Sequence, residues 1–110
     1  MNTRNKGNRN QLKVIKHFDQ LGWLVDKVEV GGKFAKSKDL FGLFDLVAIK
    51  DGIVKFIQVT TNRPHTHKKY QSFCDTWSHG CEQWVWYDRQ GWKLFYYFPH
   101  LKRGVVDLRK

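Results

Sequence analysis

Asp45 and Gln58 interrupt two apolar runs, Phe44-Asp45-Leu46-Val47-Ala48-Ile49 and Ile53-Val54-Lys55-Phe56-Ile57-Gln58-Val59-Thr60, joined by a Lys50-Asp51-Gly52 turn. A carboxylate and an amide within apolar strands are costly to bury unless they are satisfied or used. The residue types suit phosphodiester hydrolysis, which needs a divalent cation on a non-bridging oxygen and a positioned water as nucleophile. Mg²⁺ and Mn²⁺ take oxygen ligands, and Mg²⁺ keeps several waters, so few protein donors suffice. Asp45 would be the anionic ligand, with Gln58 Oε1 and the Val59 carbonyl as neutral oxygens. Asp39, six residues before Asp45, is a loop carboxylate able to join them.

Positioning these groups requires a hairpin. Asp51-Gly52 is a strong two-residue turn signal, and side chains on paired strands line up in rows, which puts Asp45 and Gln58 on one face. Ahead of it, Leu12, Ile15, Phe18 and Leu21 recur at helical spacing, predicting a helix from about Gly7 or Asn8 to a stop at Gly22. Residues 23–30 alternate as a strand, and residues 31–39 read as a loop. Asn62-Arg63-Pro64 breaks the chain after the hairpin. Residues 65–79 then read as a second helix, with Tyr70, Phe73, Cys74 and Trp77 as its buried stripe and Gly80 as its end. Residues 83–87 and 92–98 are strands joined by Arg89-Gln90-Gly91. The order α-β-β-β-α-β-β predicts one α/β domain over residues 1–110 on a mixed sheet. Residues 1–7 and about 100–110 read as candidate flexible basic tails.

Twenty Lys and Arg against ten Asp and Glu give a net charge of +10 and a pI near 9.8. Such an excess favours a polyanionic partner, because each neutralised phosphate releases condensed counterions. DNA is the expected partner. Its candidate contacts are Arg4, Lys6, Arg9 and Lys13 on the first helix, Lys33, Lys36 and Lys38 in the loop, and Lys68 and Lys69 on the second helix. No apolar run reaches the length of a transmembrane helix, so no membrane is expected. The polar N-terminus and only two cysteines, Cys74 and Cys81, predict a cytoplasmic protein with free thiols. His65, His67, Cys74, His79 and Cys81 are zinc-ligand types, but their spacing does not suit a zinc site. Cys74 on the helix stripe reads as a small core residue.

Three segments together carry a resemblance: Arg4-Asn5-Lys6-Gly7-Asn8-Arg9-Asn10-Gln11, Leu43-Phe44-Asp45-Leu46-Val47-Ala48 and Phe56-Ile57-Gln58-Val59-Thr60. The chain resembles the PD-(D/E)xK nuclease superfamily, and within it the archaeal Holliday-junction resolvase type, over residues 4–87. The resemblance implies a restriction-endonuclease-like α-β-β-β-α-β core with a mixed central sheet flanked by helices. It also implies a Mg²⁺- or Mn²⁺-dependent endonuclease acting on branched DNA as a two-fold homodimer, with the aromatic-rich C-terminal strands as its interface. Asp45, Gln58, Thr60 and Gln11 fall at the catalytic positions. Gln11 stands at the first-helix Glu of the pattern, Phe44 at its Pro, Gln58 at its Glu and Thr60 at its Lys. That lysine positions the attacking water and stabilises developing charge, and Thr carries no cation. Lys55, three residues from Gln58, faces the other side of an ideal strand, which leaves Lys68 and Lys69 as substitutes. Two function classes follow, a metal-dependent endonuclease and a catalytically inactive nucleic-acid-binding module on the same fold.

Overall fold

The computed structural model describes residues 3–28 and 39–110, with side chains from Arg9 onward. The elements are α1 (Thr3–Gln20), β1 (Leu24–Lys27), β2 (Leu46–Lys50), β3 (Ile53–Thr61), α2 (His67–Trp77), β4 (Cys81–Tyr87), β5 (Gly91–Tyr97) and β6 (Gly104–Asp107). All six strands form one sheet in the order β1-β2-β3-β4-β5-β6. The β3–β4 pair is parallel and every other pair antiparallel. A parallel pair needs a crossover, and α2 provides it.

The hairpin forms as its turn residues dictate. Asp51 and Gly52 take φ values of 51° and 78°, the paired positive angles that match a two-residue turn to strand twist. Lys50 then faces Ile53, and the register runs to Leu46 opposite Ile57.

Side-chain alternation sorts the core into two layers. Val14 and Phe18 of α1 pack with Leu46, Ala48, Ile57, Val59, Trp84 and Leu94 on one face. Tyr70, Phe73 and Cys74 of α2 pack with Phe44, Cys81, Val85, Phe95 and Tyr97 on the other. The sheet is mixed and flanked by helices on both faces, as the sequence predicts.

Several local expectations are corrected. Helix α1 begins at Thr3, ahead of Gly7. Its buried residues are Asn10, Val14 and Phe18, whereas Leu12 and Leu21 are exposed. The helix is turned by Asn10, whose side-chain amide donates to Thr61 Oγ1 at 3.0 Å and draws that face onto β3. Helix α2 ends through Ser78 in the left-handed conformation, ahead of Gly80. Trp77 therefore lies beyond the last packed turn and is 69% exposed. Residues 104–107, within the expected tail, pair with β5 as an edge strand. Strand β1 stops at Lys27. The rest of its expected span, residues 29–30, and the lysine loop 31–38 lie outside the described residues. Among the described residues no helix is long and apolar enough to cross a membrane.

Phe73 and Trp77 share a helical stripe in sequence but not in burial, which gives a direct check. Phe73→Ala is expected to cost about 3–5 kcal/mol in urea denaturation. Trp77→Ala should stay within about 0.5 kcal/mol of the parent.

Candidate active site

Asp45 lies where β2 and β3 begin to part. Its N–H donates to Ile57 O at 3.0 Å, and its Oδ2 accepts from Val59 N–H at 3.2 Å. One residue thus bonds both neighbours of Gln58. A carboxylate here takes over an amide that β2 no longer pairs, so the bond costs the sheet nothing. The Asp45 carbonyl accepts from Val28 N–H at 2.7 Å, fixing the residue from the β1 side as well.

Two further groups converge on this carboxyl, the side chain of Gln11 from α1 and that of Asp39 from the preceding turn. Burial pushes the Asp45 carboxyl up to about 7, and hydrogen bonding and charge from Asp39 push the same way. The Val59 N–H and Gln11 oppose the shift. Two carboxyl groups in hydrogen-bond contact need a proton between them. Around them stand three buried oxygens with no hydrogen-bond partner: Gln11 Oε1, Gln58 Oε1 and Thr60 Oγ1. Buried polar atoms are nearly always satisfied, so three orphans in one neighbourhood mark a site and not a packed core. Gln58 and Thr60 alternate with Ile57 and Val59, which face α1, and so lie on the α2 side of β3.

The structure brings Gln11, Asp39, Asp45 and Val59 together and sets Gln58 and Thr60 in the same short stretch of β3. The lysines divide. Lys55 is held by Glu82 in an ion pair, and Lys50 donates to Leu21 O at 2.7 Å at the end of α1. Lys69 lines a cavity with Arg63, His65 and Tyr70, and both Lys68 and Lys69 border an apolar groove with Phe41 and Trp77. Arg9 and Lys13 line a different cavity with Trp86, Asp88 and Arg89, and the Lys13 ammonium sits 3.8 Å above the Trp86 ring. Lys33, Lys36 and Lys38 lie outside the described residues, as do the side chains of Arg4 and Lys6. Trp84 is buried beneath α1 and Trp92 packs against the same cluster, so these aromatics serve the sheet's own packing.

Cys74 and Cys81 are buried free thiols 3.5 Å apart, and burial pushes both pKa values up. Such thiols are inert core groups. Among the described residues no three His, Cys, Asp or Glu side chains gather as a metal group.

Sequence reasoning missed Gln83 and the loop it holds. Gln83 is fully buried in β4 and bonds both main-chain polar groups of His65. The signal was present: an amide within Cys81-Glu82-Gln83-Trp84-Val85 is as anomalous as Gln58 within β3.

This arrangement of elements is similar to that of a solved structure. That structure is Hjc of Archaeoglobus fulgidus, a Holliday junction resolvase from an archaeal hyperthermophile. The two match with a TM-score of 0.55 at 15% sequence identity, covering 92% of this chain and 88% of that one. The chain has a restriction-endonuclease-like fold. No family pattern matches the sequence, and neither does any curated protein. The likeness is thus carried by topology, over nearly the whole length of both chains.

The raised pKa of Asp45 fixes the sign of a stability effect. The folded chain keeps a proton that the unfolded chain releases from 3.8 upward, so stability falls as pH rises from about 4 to about 7. Asp45→Asn retains an acceptor for Val59 N–H and cannot ionise. It should exceed the parent by roughly 1–3 kcal/mol near pH 8 in urea denaturation, and the two should converge below pH 4.

Proposed function

We propose that the chain is a DNA-binding nuclease-fold protein that hydrolyses phosphodiesters with Mg²⁺ or Mn²⁺ on branched or other structured DNA. The observation that supports it best is the Asp45 cluster at the parting of a hairpin, a buried carboxyl in contact with Asp39 and Gln11, with orphaned oxygens on Gln11, Gln58 and Thr60. Those residues fit a hard cation: it would replace the shared proton and satisfy oxygens that nothing else satisfies. Asp45 and Asp39, with Gln58 Oε1 and the Val59 carbonyl, would hold it, and when bound it would polarise the phosphate and acidify a water.

The remaining steps belong to the chain. Gln11 and the Val59 N–H orient the Asp45 carboxylate, so the anion is fixed before substrate arrives. Thr60 Oγ1 is free to hydrogen-bond a water at the position where the resemblance has a lysine. Arg9, Lys13, Lys68 and Lys69, with Arg4, Lys6, Lys33, Lys36 and Lys38, would neutralise backbone phosphates. A homodimer with two-fold symmetry would place two such sites for paired cuts.

A second reading is favoured by one observation. Thr60 supplies no cation, and the described residues offer no third carboxylate at Asp45, which suits a binding module without cleavage. The two separate in one assay. The first predicts Mg²⁺- or Mn²⁺-dependent cleavage of a four-way junction that drops at least about a hundredfold in Asp45→Ala. Cleavage that survives this substitution sinks the nuclease reading. Salt-sensitive binding without any cleavage identifies the binding module. Independently, Mn²⁺ should raise the melting temperature of the wild type and leave that of Asp45→Asn unchanged.

A further inference from the structure

A cavity of about 510 Å³ opens between the turn at Gly42 and the start of α2, lined by Arg63, His65, Thr66, Lys69 and Tyr70. No carboxylate among the described residues lines it. Among the described residues, neither Arg63 nor Lys69 makes an ion pair. Their charges also act on His65, whose pKa is lowered by burial first and then by both cations, against an opposing pull from Asp39.

The loop that carries Arg63 and His65, and leads into Lys69 in the first turn of α2, is held from beneath. Gln83 Oε1 accepts from His65 N–H at 2.9 Å, and Gln83 Nε2 donates to His65 O at 3.1 Å. The same amide nitrogen donates to Tyr97 Oη at 2.8 Å. His65 itself is exposed, yet its ring is fixed from beneath, with Nδ1 3.3 Å from Tyr70 Oη. Tyr70 is 1% exposed and donates to Leu43 O at 3.0 Å. A phenol has one proton to give. The contact with the imidazole is therefore Nδ1–H donating to Tyr70, and Nε2 is left for another partner. Thr66, the N-cap of α2, makes no side-chain capping bond, and the first turn holds no acidic residue. Lys69 N–H donates to Thr66 O at 3.2 Å, and the amides ahead of it lie at the helix N-terminus, the end that favours an anion.

Two fully buried side chains, Gln83 and Tyr70, thus position an exposed histidine in a cavity that Arg63 and Lys69 also line. The cavity adjoins the Asp45 cluster. Tyr70 feels the charges of Asp45 and Asp39, and its hydroxyl bonds Leu43, two residues before Asp45.

We propose that Arg63, His65 and Lys69 form a phosphate subsite that takes a phosphodiester of the nucleic acid beside Asp45. It supplies, from the loop before α2 and the first turn of that helix, the positive charge that Thr60 does not. The inference rests on the DNA-binding reading above but not on cleavage.

The test is binding in EDTA, which removes any metal contribution. A fluorescein-labelled four-way DNA junction is titrated at several KCl concentrations and followed by anisotropy. Arg63→Ala/Lys69→Ala should weaken binding about tenfold or more and lower the slope of log K against log salt by about two. Lys102→Ala/Arg103→Ala removes the same formal charge and should do markedly less. Both pairs are exposed, so thermal melts should match the wild type. In a second arm, the His65 imidazole resonance should shift saturably as a short single-stranded oligonucleotide is added. Equal losses in the two double variants overturn the proposal, and so does absence of DNA binding by the wild type. A His65 shift with inorganic phosphate but none with the oligonucleotide also overturns it, in favour of a free-phosphate site. Loss of binding in Arg63→Ala/Lys69→Ala alongside cleavage that survives Asp45→Ala upholds the subsite while removing the nuclease reading.

Discussion

The hydrogen bond from Val59 N–H to Asp45 Oδ2 sits at the one place where the sheet changes partner. Up to Ile57, β3 is paired with β2 on one side, and from Ile57 onward it is paired with β4 on the other. At the changeover β3 would present an unpaired amide to the interior, and a carboxylate from the chain before β2 takes it. The same constraint puts an anion in a low-dielectric position, where burial opposes its charge. Everything else at the site answers that tension. Gln11 donates to it, Asp39 contacts it, and the side-chain oxygens of Gln58 and Thr60 on β3 have no partner.

The strands contain other polar residues that look alike in sequence and fare differently. Glu82 is buried but satisfied by Lys55 and by the indole of Trp84. Asn10 is satisfied by Thr61 and fixes the roll of α1. Gln83 clamps the His65 loop. Gln58 and Thr60 keep oxygens without partners. Only the last two have the incomplete hydrogen bonding that distinguishes a site from a buried network. A polar residue in an apolar strand therefore flags a location, and the partner count decides its meaning.

The basic surplus is similarly divided by the fold. Lys55 and Lys50 are occupied with internal partners. Lys13 lies over the ring of Trp86. Arg63 and Lys69 flank one cavity close to Asp45, although Arg63 carries no motif and reads in sequence as part of a chain break. Charge composition indicates the class of partner, because counterion release depends on number of charges. Which charges face a ligand depends on the crossover from β3 into α2.

The sequence alone determined the α-β-β-β-α-β order and the two-residue hairpin turn. These rest on short-range rules: period-two and helical alternation, turn residues that accept positive φ, and cross-strand register. The tertiary structure decided the rest. It turned α1 onto Asn10, Val14 and Phe18, because a buried amide needed Thr61 and residues 51 positions apart cannot signal that in sequence. It left Trp77, the last residue of α2, outside, because the packed part of the stripe ends at Cys74. It also set His65 over Gln83 and Tyr70, since the parallel β3–β4 pairing alone brings the loop before α2 onto β4.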